Sequence, residues 1–345
     1  MRFPLLAVAL LSMAAAPAQA QTAAAQTAAA QTAASPTNPV FTGADPDMVA
    51  LCGRWWVYPT NALDPKDGFA ASRFYAWSSS DLQHWRQSEP LLEMDRIDWI
   101  KADGAASHGL WAPSLTAANG RYYLYYSVGP QNPTPSRLGV AVGDRPDGPF
   151  TDSGKPLLTG GNGFEAIDPM VFVDPKSGKA YLYAGGSAGA KLRIFEMKHN
   201  MTEIDHEIPV TTPPNFTEGA FVHERKGIYY LSYSHGHFDG PDYSVHYATS
   251  TSPVGPWTYR GAILQADATH QGPGHHAFAE NPATHQWFMA YHRWERGPGA
   301  GPYKGTREVA IDAIHYAPDG RILPVTMTDR PPLSPLPAAS CHKAG

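Results

Sequence analysis

Five strand-type runs recur along this chain, each rich in aromatic residues: Trp55-Trp56-Val57-Tyr58, Tyr122-Tyr123-Leu124-Tyr125-Tyr126, Ala180-Tyr181-Leu182-Tyr183, Ile228-Tyr229-Tyr230-Leu231-Ser232-Tyr233 and Trp287-Phe288-Met289-Ala290-Tyr291. Aromatic and branched residues in partial alternation favour strands over helices. Asn119-Gly120, Ser177-Gly178 and Lys226-Gly227 place turn signals just ahead of three of the runs. Successive starts lie roughly 50 to 65 residues apart, the length of a propeller blade. A second element recurs as Ser80-Asp81-Leu82-Gln83-His84-Trp85, Asp147-Gly148-Pro149-Phe150 and Val254-Gly255-Pro256-Trp257. Each is a turn closed by an aromatic, which suits the outer part of a four-stranded blade and predicts Trp85, Phe150 and Trp257 between blades. No amphipathic helix is predicted between the runs. The chain is therefore expected to be all-β, a five-bladed β-propeller over residues 38–335 with a tail over 336–345. A β-sandwich is the rival, but five like units suit radial closure better.

The N-terminal end is expected to be an export signal. Arg2, an apolar run from Leu5 to Ala16 and the small-residue site Ala18-Gln19-Ala20 follow in the required order, so residues 1–20 read as a peptide removed after Ala20. No later stretch reaches the length of a membrane span. Residues 21–37 repeat Gln, Thr and Ala and read as a flexible linker. The expected location is the periplasm or the medium. A net charge of -5 with 17% charged residues argues against a nucleic-acid partner, which needs a basic face. Cys52 and Cys341 are the two cysteines. They form either a disulfide, which an oxidising compartment permits, or two free thiols, and the distance between them decides which.

The polar residues ahead of the runs carry the chemistry. About ten to thirteen residues before each run, as an inner strand and hairpin would require, stand Asp45-Pro46-Asp47, Trp111-Ala112-Pro113, Ile167-Asp168-Pro169, Thr217-Glu218-Gly219 and Gly272-Pro273-Gly274-His275-His276. Equivalent positions in a propeller face its axis, so one ring is expected to hold Asp45, Trp111, Asp168, Glu218 and His275. Any one of the carboxylates alone reads best as a hairpin cap. Three in one register do not, because gathering buried like charges is costly and is tolerated where shifted pKa values serve chemistry. Paired carboxyl groups around a glycosidic bond are such a case.

These strings, taken in order and extended to Thr42-Gly43-Ala44-Asp45-Pro46-Asp47, Gly109-Leu110-Trp111-Ala112-Pro113, Ile167-Asp168-Pro169-Met170, Phe216-Thr217-Glu218-Gly219 and Gly274-His275, resemble glycoside hydrolase family 43 from about Asn38 to Val325. The resemblance implies a five-bladed propeller and single-displacement hydrolysis with inversion. By it, Asp45 matches the general base, Glu218 the general acid, and Asp168 the third carboxylate that orients the acid. His275 matches an axial histidine beside a calcium ion or its water shell; the plain alternative is a hydrogen-bonded turn residue. Calcium prefers oxygen ligands and no Asp or Asn run resembles a dedicated loop, so such an ion would be held mostly by water. Trp111 matches a wall of the sugar site, with packing between blades as the alternative. Arg307, in Thr306-Arg307-Glu308-Val309, matches an arginine that reaches the sugar, with a surface ion pair as the alternative. Asp47 is a second carboxylate on the same strand face as Asp45 by alternation; family register selects Asp45.

The segments Phe74 to Leu82 and Gly272 to His276 are similar to arabinofuranosidase members. The resemblance thus implies release of α-L-arabinofuranosyl residues from arabinan, arabinoxylan or derived oligosaccharides. The alternatives within the family are a β-xylosidase and a β-1,3-galactan exo-hydrolase. The retaining invertase group would carry Asn-Asp-Pro-Asn-Gly, Arg-Asp-Pro and Glu-Cys where this chain has Ala44-Asp45-Pro46-Asp47, Ile167-Asp168-Pro169 and Thr217-Glu218-Gly219. A non-catalytic carbohydrate-binding propeller has no use for acids converging on the axis. Mass spectrometry of the mature protein should place its N-terminus at Gln21; material from the periplasm or medium that retains Met1 would refute cleavage.

Overall fold

The computed structural model describes Met1 and residues 36–61, 70–131, 134–187 and 189–341. The expected export signal and almost all of the Gln/Thr/Ala segment lie outside the described residues. The hairpin chemistry follows the sequence closely. At Cys52-Gly53, Asn119-Gly120 and Lys226-Gly227 both turn residues have positive φ (54° and 67°, 51° and 73°, 52° and 87°), the conformation of a tight two-residue hairpin. They join Leu51 to Arg54, Ala118 to Arg121 and Arg225 to Ile228, which pair across the turn.

Five antiparallel blades result. Blade 1 runs outward through Ala44–Leu51, Arg54–Thr60, Trp77–Ser79 and Trp85–Gln87. Blade 2 has Leu110–Ala118, Arg121–Val128, Arg137–Gly143 and Thr151–Asp152; blade 3 has Met170–Val173, Ala180–Ala184, Arg193–Met197 and Ile204–Ile208. Blade 4 has Glu218–Arg225, Ile228–His235, Ser244–Ser250 and Thr258–Leu264. Blade 5 takes three strands from the C-terminal part, His270–Glu280, Trp287–Glu295 and Glu308–Ile314, and its outermost strand, Phe41–Thr42, from the N-terminal end. Phe41 pairs with Val309 and Thr42 with Glu308, so main-chain hydrogen bonds close the ring. Among the described residues the helical turns are two short 3-10 segments, Met94–Arg96 and Ile100–Asp103.

The aromatic runs are the second strands, and their composition follows from being covered on both sides. Trp55 and Val57 join the core shared with blade 5, whereas Trp56 and Tyr58 join the core shared with blade 2. Tyr122, Leu124 and Tyr126 face blade 1 while Tyr123 and Tyr125 face blade 3. Tyr181 and Tyr183 point away from Leu182 in the same way. The period of two thus feeds separate inter-blade cores. Phe150 is buried beside Trp56 and Tyr58, Trp257 packs against the blade 3–4 core, and Trp85 meets Phe41 edge-on at 5.5 Å, as expected of them.

After Ile314 the chain turns back over the molecule. Val325 N–H donates to Ile263 O, and Ser334 and Leu336 N–H donate to Asp81 O and Ser80 O. Trp55 Nε1 donates to Ser334 O at 2.8 Å. Cys341 is bonded to Cys52, their Cα atoms 4.7 Å apart, so the two cysteines are not free thiols. The docked chain reaches Cys341, past the expected limit at residue 335. No helix among the described residues is long and apolar enough to cross a membrane.

A bond that closes a loop of hundreds of residues restricts the unfolded chain by about 5 kcal/mol in the chain-entropy treatment. Cys52→Ser should therefore lower the melting temperature by roughly 10 °C for a domain of this size while leaving the far-ultraviolet circular dichroism unchanged. A shift within error would show that strand closure alone carries the ends.

Candidate active site

One backbone device is repeated at the mouth of the propeller. In or just before each inner strand a residue adopts positive φ: Asp45 (49°), Ala112 (43°), Asp168 (55°), Gly219 (63°) and His275 (40°). In blades 1, 2, 4 and 5 the inner strand loses register against its partner there, as a bulge does when it re-aims a side chain. The expected ring is therefore corrected by one residue in two blades. Ala112 and Gly219, not Trp111 and Glu218, are the equivalents of Asp45, Asp168 and His275. The following residues, Pro46, Pro113, Pro169, Ala220 and His276, line the axial cavity below.

A side chain of the preceding blade secures each of these turns. Ala112 N–H donates to Thr60 Oγ1 (2.7 Å), Asp168 N–H to Ser127 Oγ (2.8 Å), His275 N–H to Ser234 Oγ (2.8 Å) and Asp45 N–H to His292 Nδ1 (3.1 Å). Thr60, Ser127, Ser234 and His292 occupy one place, opposite Ala44, Trp111, Glu218 and Gly274 on the second strands. Blade 3 has Gly185 there, bonded to Ile167 O. It offers no side chain, and Asp168 Oδ2 itself accepts the Gly219 N–H at 3.1 Å. The missing side chains leave room for Glu218: a Cβ on Gly186 would lie 2.4 Å from Glu218 Cβ.

Each carboxylate is buried, but with different partners. Arg307 Nη1 donates to Asp45 Oδ1 at 2.8 Å and Thr60 Oγ1 to Asp45 Oδ2 at 2.8 Å. Burial pushes Asp45 up, but the Arg307 guanidinium and the neighbouring imidazoles outweigh it and hold the carboxyl well below its usual range. Arg307 is thus paired inside the site, its side chain 12% exposed, and is not a surface ion pair. Asp168 goes the other way: burial, then the charges of Glu218 and Asp45, push it well above the usual range. Glu218 accepts from Tyr243 OH (2.8 Å, Oε1) and Ser187 Oγ (2.9 Å, Oε2). His275 Nδ1 lies 3.5 Å from Asp45 Oδ1 and 3.7 Å from Asp168 Oδ2, between two of the three acids.

Asp47 is not equivalent to Asp45. The bulge breaks the alternation that put them on one face, and Asp47 Oδ2 accepts the Leu115 N–H of blade 2 at 2.7 Å. Burial pushes its carboxyl to about 7, so below that pH it is mostly protonated while Asp45 is ionised. Trp111 lies half-buried at the start of blade 2, its ring over Gly129, where a Cβ would come within 1.9 Å.

The donors on the axis do not form a direct calcium site. Among the described residues no three His, Cys, Asp or Glu side chains stand as a metal-holding group, whereas calcium takes six to eight oxygens. The cavity beneath the ring is about 20 Å³, room for one water-sized species. A calcium ion with a shell of water beside His275 would need more room than that.

The structure brings Asp45, Asp168, Glu218, His275 and Arg307 into one neighbourhood. Sequence reasoning missed Thr60, Ser127, Ser187, Ser234, Tyr243 and His292. A signal existed for four of them, since Thr60, Ser127, Ser234 and His292 each follow an aromatic run at its far end. Ser187 and Tyr243 come from connections with no marked pattern.

Residues 36–322 match the family model described as glycosyl hydrolases family 43. Beta-D-galactofuranosidase xynD of Aspergillus niger is 33% identical over 308 residues, covering 84% of this chain and 85% of that protein. Xylosidase/arabinosidase 43A of Humicola insolens is 27% identical over 338 residues, covering 81% of this chain and 95% of its own. A crystal structure of a thermostable family-43 glycoside hydrolase superposes with a TM-score of 0.69 at 25% identity, over 89% of this chain and 100% of the other. Since the matched segment runs through all five blades, this chain belongs to glycosyl hydrolases family 43 and is a glycoside hydrolase.

Proposed function

We propose that this hydrolase acts by inversion on plant cell-wall polysaccharide or derived oligosaccharides, in the periplasm or medium, releasing α-L-arabinofuranosyl residues. The observation that carries the reading is the different surroundings of neighbouring buried carboxyls, a guanidinium at Asp45 and a second carboxyl at Asp168. Asp45 is kept ionised by Arg307, and Asp168, against Glu218, is pushed towards keeping a proton. Environments that drive carboxyl groups apart in this way mark a base and an acid.

In the proposed reaction Asp45 takes a proton from water as the water oxygen bonds to the anomeric carbon. The bond from that carbon to the leaving oxygen breaks, and Glu218 gives its proton to that oxygen. Ser187 and Tyr243 fix the Glu218 carboxyl beside Asp168. Trp111 would offer a flat apolar face to the sugar, and Arg307 and His275 would line the same site.

Two relatives support a furanose. One is named a galactofuranosidase and one a xylosidase/arabinosidase. β-D-Galactofuranose has the ring configuration of α-L-arabinofuranose and adds only a hydroxymethyl group to the exocyclic arm. A galactofuranosidase is therefore the second reading. Among nitrophenyl glycosides, the α-L-arabinofuranoside should be cleaved fastest and the β-D-galactofuranoside detectably. A β-D-xylopyranoside preferred to both would overturn the furanose assignment.

Glu218→Gln should lower kcat about a thousandfold on alkyl or sugar leaving groups, and far less on dinitrophenyl glycosides, which need little protonation. Asp45→Asn should be severe on every substrate. Activity should fall on the alkaline side as Asp168, which burial and the charges of Glu218 and Asp45 push up, loses its proton, and Asp168→Asn should remove that limb. NMR of the first product should show the inverted anomer; retention would overturn Asp45 as the base.

A further inference from the structure

We propose that His292 is a positioning residue for this reaction, fixing the separation of base and acid through the edge and the face of one imidazole. The inference rests on the roles given above to Asp45 and Glu218.

The edge acts on the base. Nδ1 accepts the Asp45 N–H at 3.1 Å and so secures the left-handed turn that aims the Asp45 carboxylate. An accepting Nδ1 puts the ring proton on Nε2. That atom is buried and has no hydrogen-bond partner, and the side chain is fully enclosed. At three other junctions a hydroxyl does the same work: Thr60, Ser127 and Ser234. A small hydroxyl here would strand no donor, and a stranded buried donor calls for an explanation.

The face supplies it. The Tyr243 ring stacks on His292 with centroids 5.6 Å apart and planes 6° from parallel. Tyr243 OH in turn donates to Glu218 Oε1 at 2.8 Å. Gly274, opposite His292 in the sheet, makes room for the stack, since a Cβ there would stand 2.2 Å from the Tyr243 ring. One ring thus touches the backbone of the base and the side chain that holds the acid. A serine at 292 could reach only the first.

The charged and titratable groups around this ring are Asp45, Arg307, His275, His276 and Tyr243. Burial, followed by Arg307, pushes His292 down to about 3, so Nδ1 stays free to accept while Asp45 is ionised.

Two variants separate the edge from the face. His292→Phe keeps a ring against Tyr243 and removes the acceptor. It should lower kcat about 10- to 100-fold, as a small misplacement does, on good and poor leaving groups alike, with little change in KM. Its acidic limb should move to higher pH, because a carboxylate slackened from Arg307 gains a proton more easily. His292→Ser keeps an acceptor and removes the ring. Its loss should be greater on poor leaving groups, where Glu218 must be in place. Equal losses on both substrates with wild-type pH limbs, or no loss in either variant, would overturn the proposal. Histidine-selective nitrogen NMR of the wild-type enzyme gives a reading that needs no variant to fold. His292 should show a bare Nδ1 and a protonated Nε2 throughout the active pH range, and the other tautomer or a titration there would equally overturn it. Glu218→Gln serves as the control: if it shows no leaving-group dependence the proposed function fails, whereas a normal dependence there with unsplit His292 variants refutes this inference alone.

Discussion

The aim of the axial side chains depends on a left-handed residue in or just before each inner strand, bonded through its N–H to the blade before it. An L-residue with a side chain pays roughly 1–3 kcal/mol for such a conformation, and four of the five positions carry one. The turns persist because a buried N–H must find a partner, and the neighbouring blade supplies it. Local strain is thereby converted into inter-blade registry. It also swings one residue per blade towards the axis, so radial repetition alone gathers Asp45, Asp168 and His275 without any long-range contact being needed to choose them. Blade 4 departs in an informative way. Gly219 bears the positive φ at little cost and presents no side chain, so the preceding residue, Glu218, can enter the site from beside the ring rather than within it.

The fold was legible in the sequence because a second strand packed between two blades must be apolar on both faces. That leaves dense aromatic runs such as Tyr122 to Tyr126, and Asn119-Gly120 marks where one begins. The carboxylates were legible through their repeated setting before each run. Their register was only partly so. Trp111 and Glu218 are the conspicuous side chains of their strings, but the backbone equivalence runs through Ala112-Pro113, which matches Asp45-Pro46 and Asp168-Pro169. A bulge that adds one residue cannot be placed by side-chain chemistry alone. Tyr243 and Ser187 were not legible at all, since their distance from Glu218 in sequence is bridged only by the folded sheet. The strand Phe41–Thr42 is too short to announce itself.

Burial does not decide what a carboxyl does in this site. Asp45, Asp47 and Asp168 are all enclosed, and desolvation pushes each of them upward. Asp45 alone has a guanidinium at hydrogen-bond distance, and a nearby opposite charge in a low-dielectric setting is strong enough to reverse the direction. Asp47 has only neutral donors, the Leu115 and Met48 amides and Ser114, and these offset burial only in part. Asp168 has the opposite of a counter-charge in Glu218. Arg307, with the imidazoles of His275 and His292 beside it, therefore separates Asp45 from carboxyls of the same type and the same burial.

That arginine also ties the chemistry to the closure of the ring. Arg307 stands just before Glu308–Ile314, the strand that receives Phe41–Thr42 from the other end of the domain. Its own carbonyl accepts the Gly43 N–H at 3.0 Å, and Val40 N–H donates to Val309 O at 2.8 Å. Asp45 lies two residues beyond Gly43. Asp45 and its counter-charge thus face each other across the seam where blade 5 takes its outermost strand from the N-terminal end. If the seam opened, Arg307 would leave Asp45 and burial or solvent alone would set its charge. Ring closure therefore does more than stabilise the fold: it brings the Arg307 guanidinium to the Asp45 carboxylate, so the strand that seals the propeller also stands beside its proposed base.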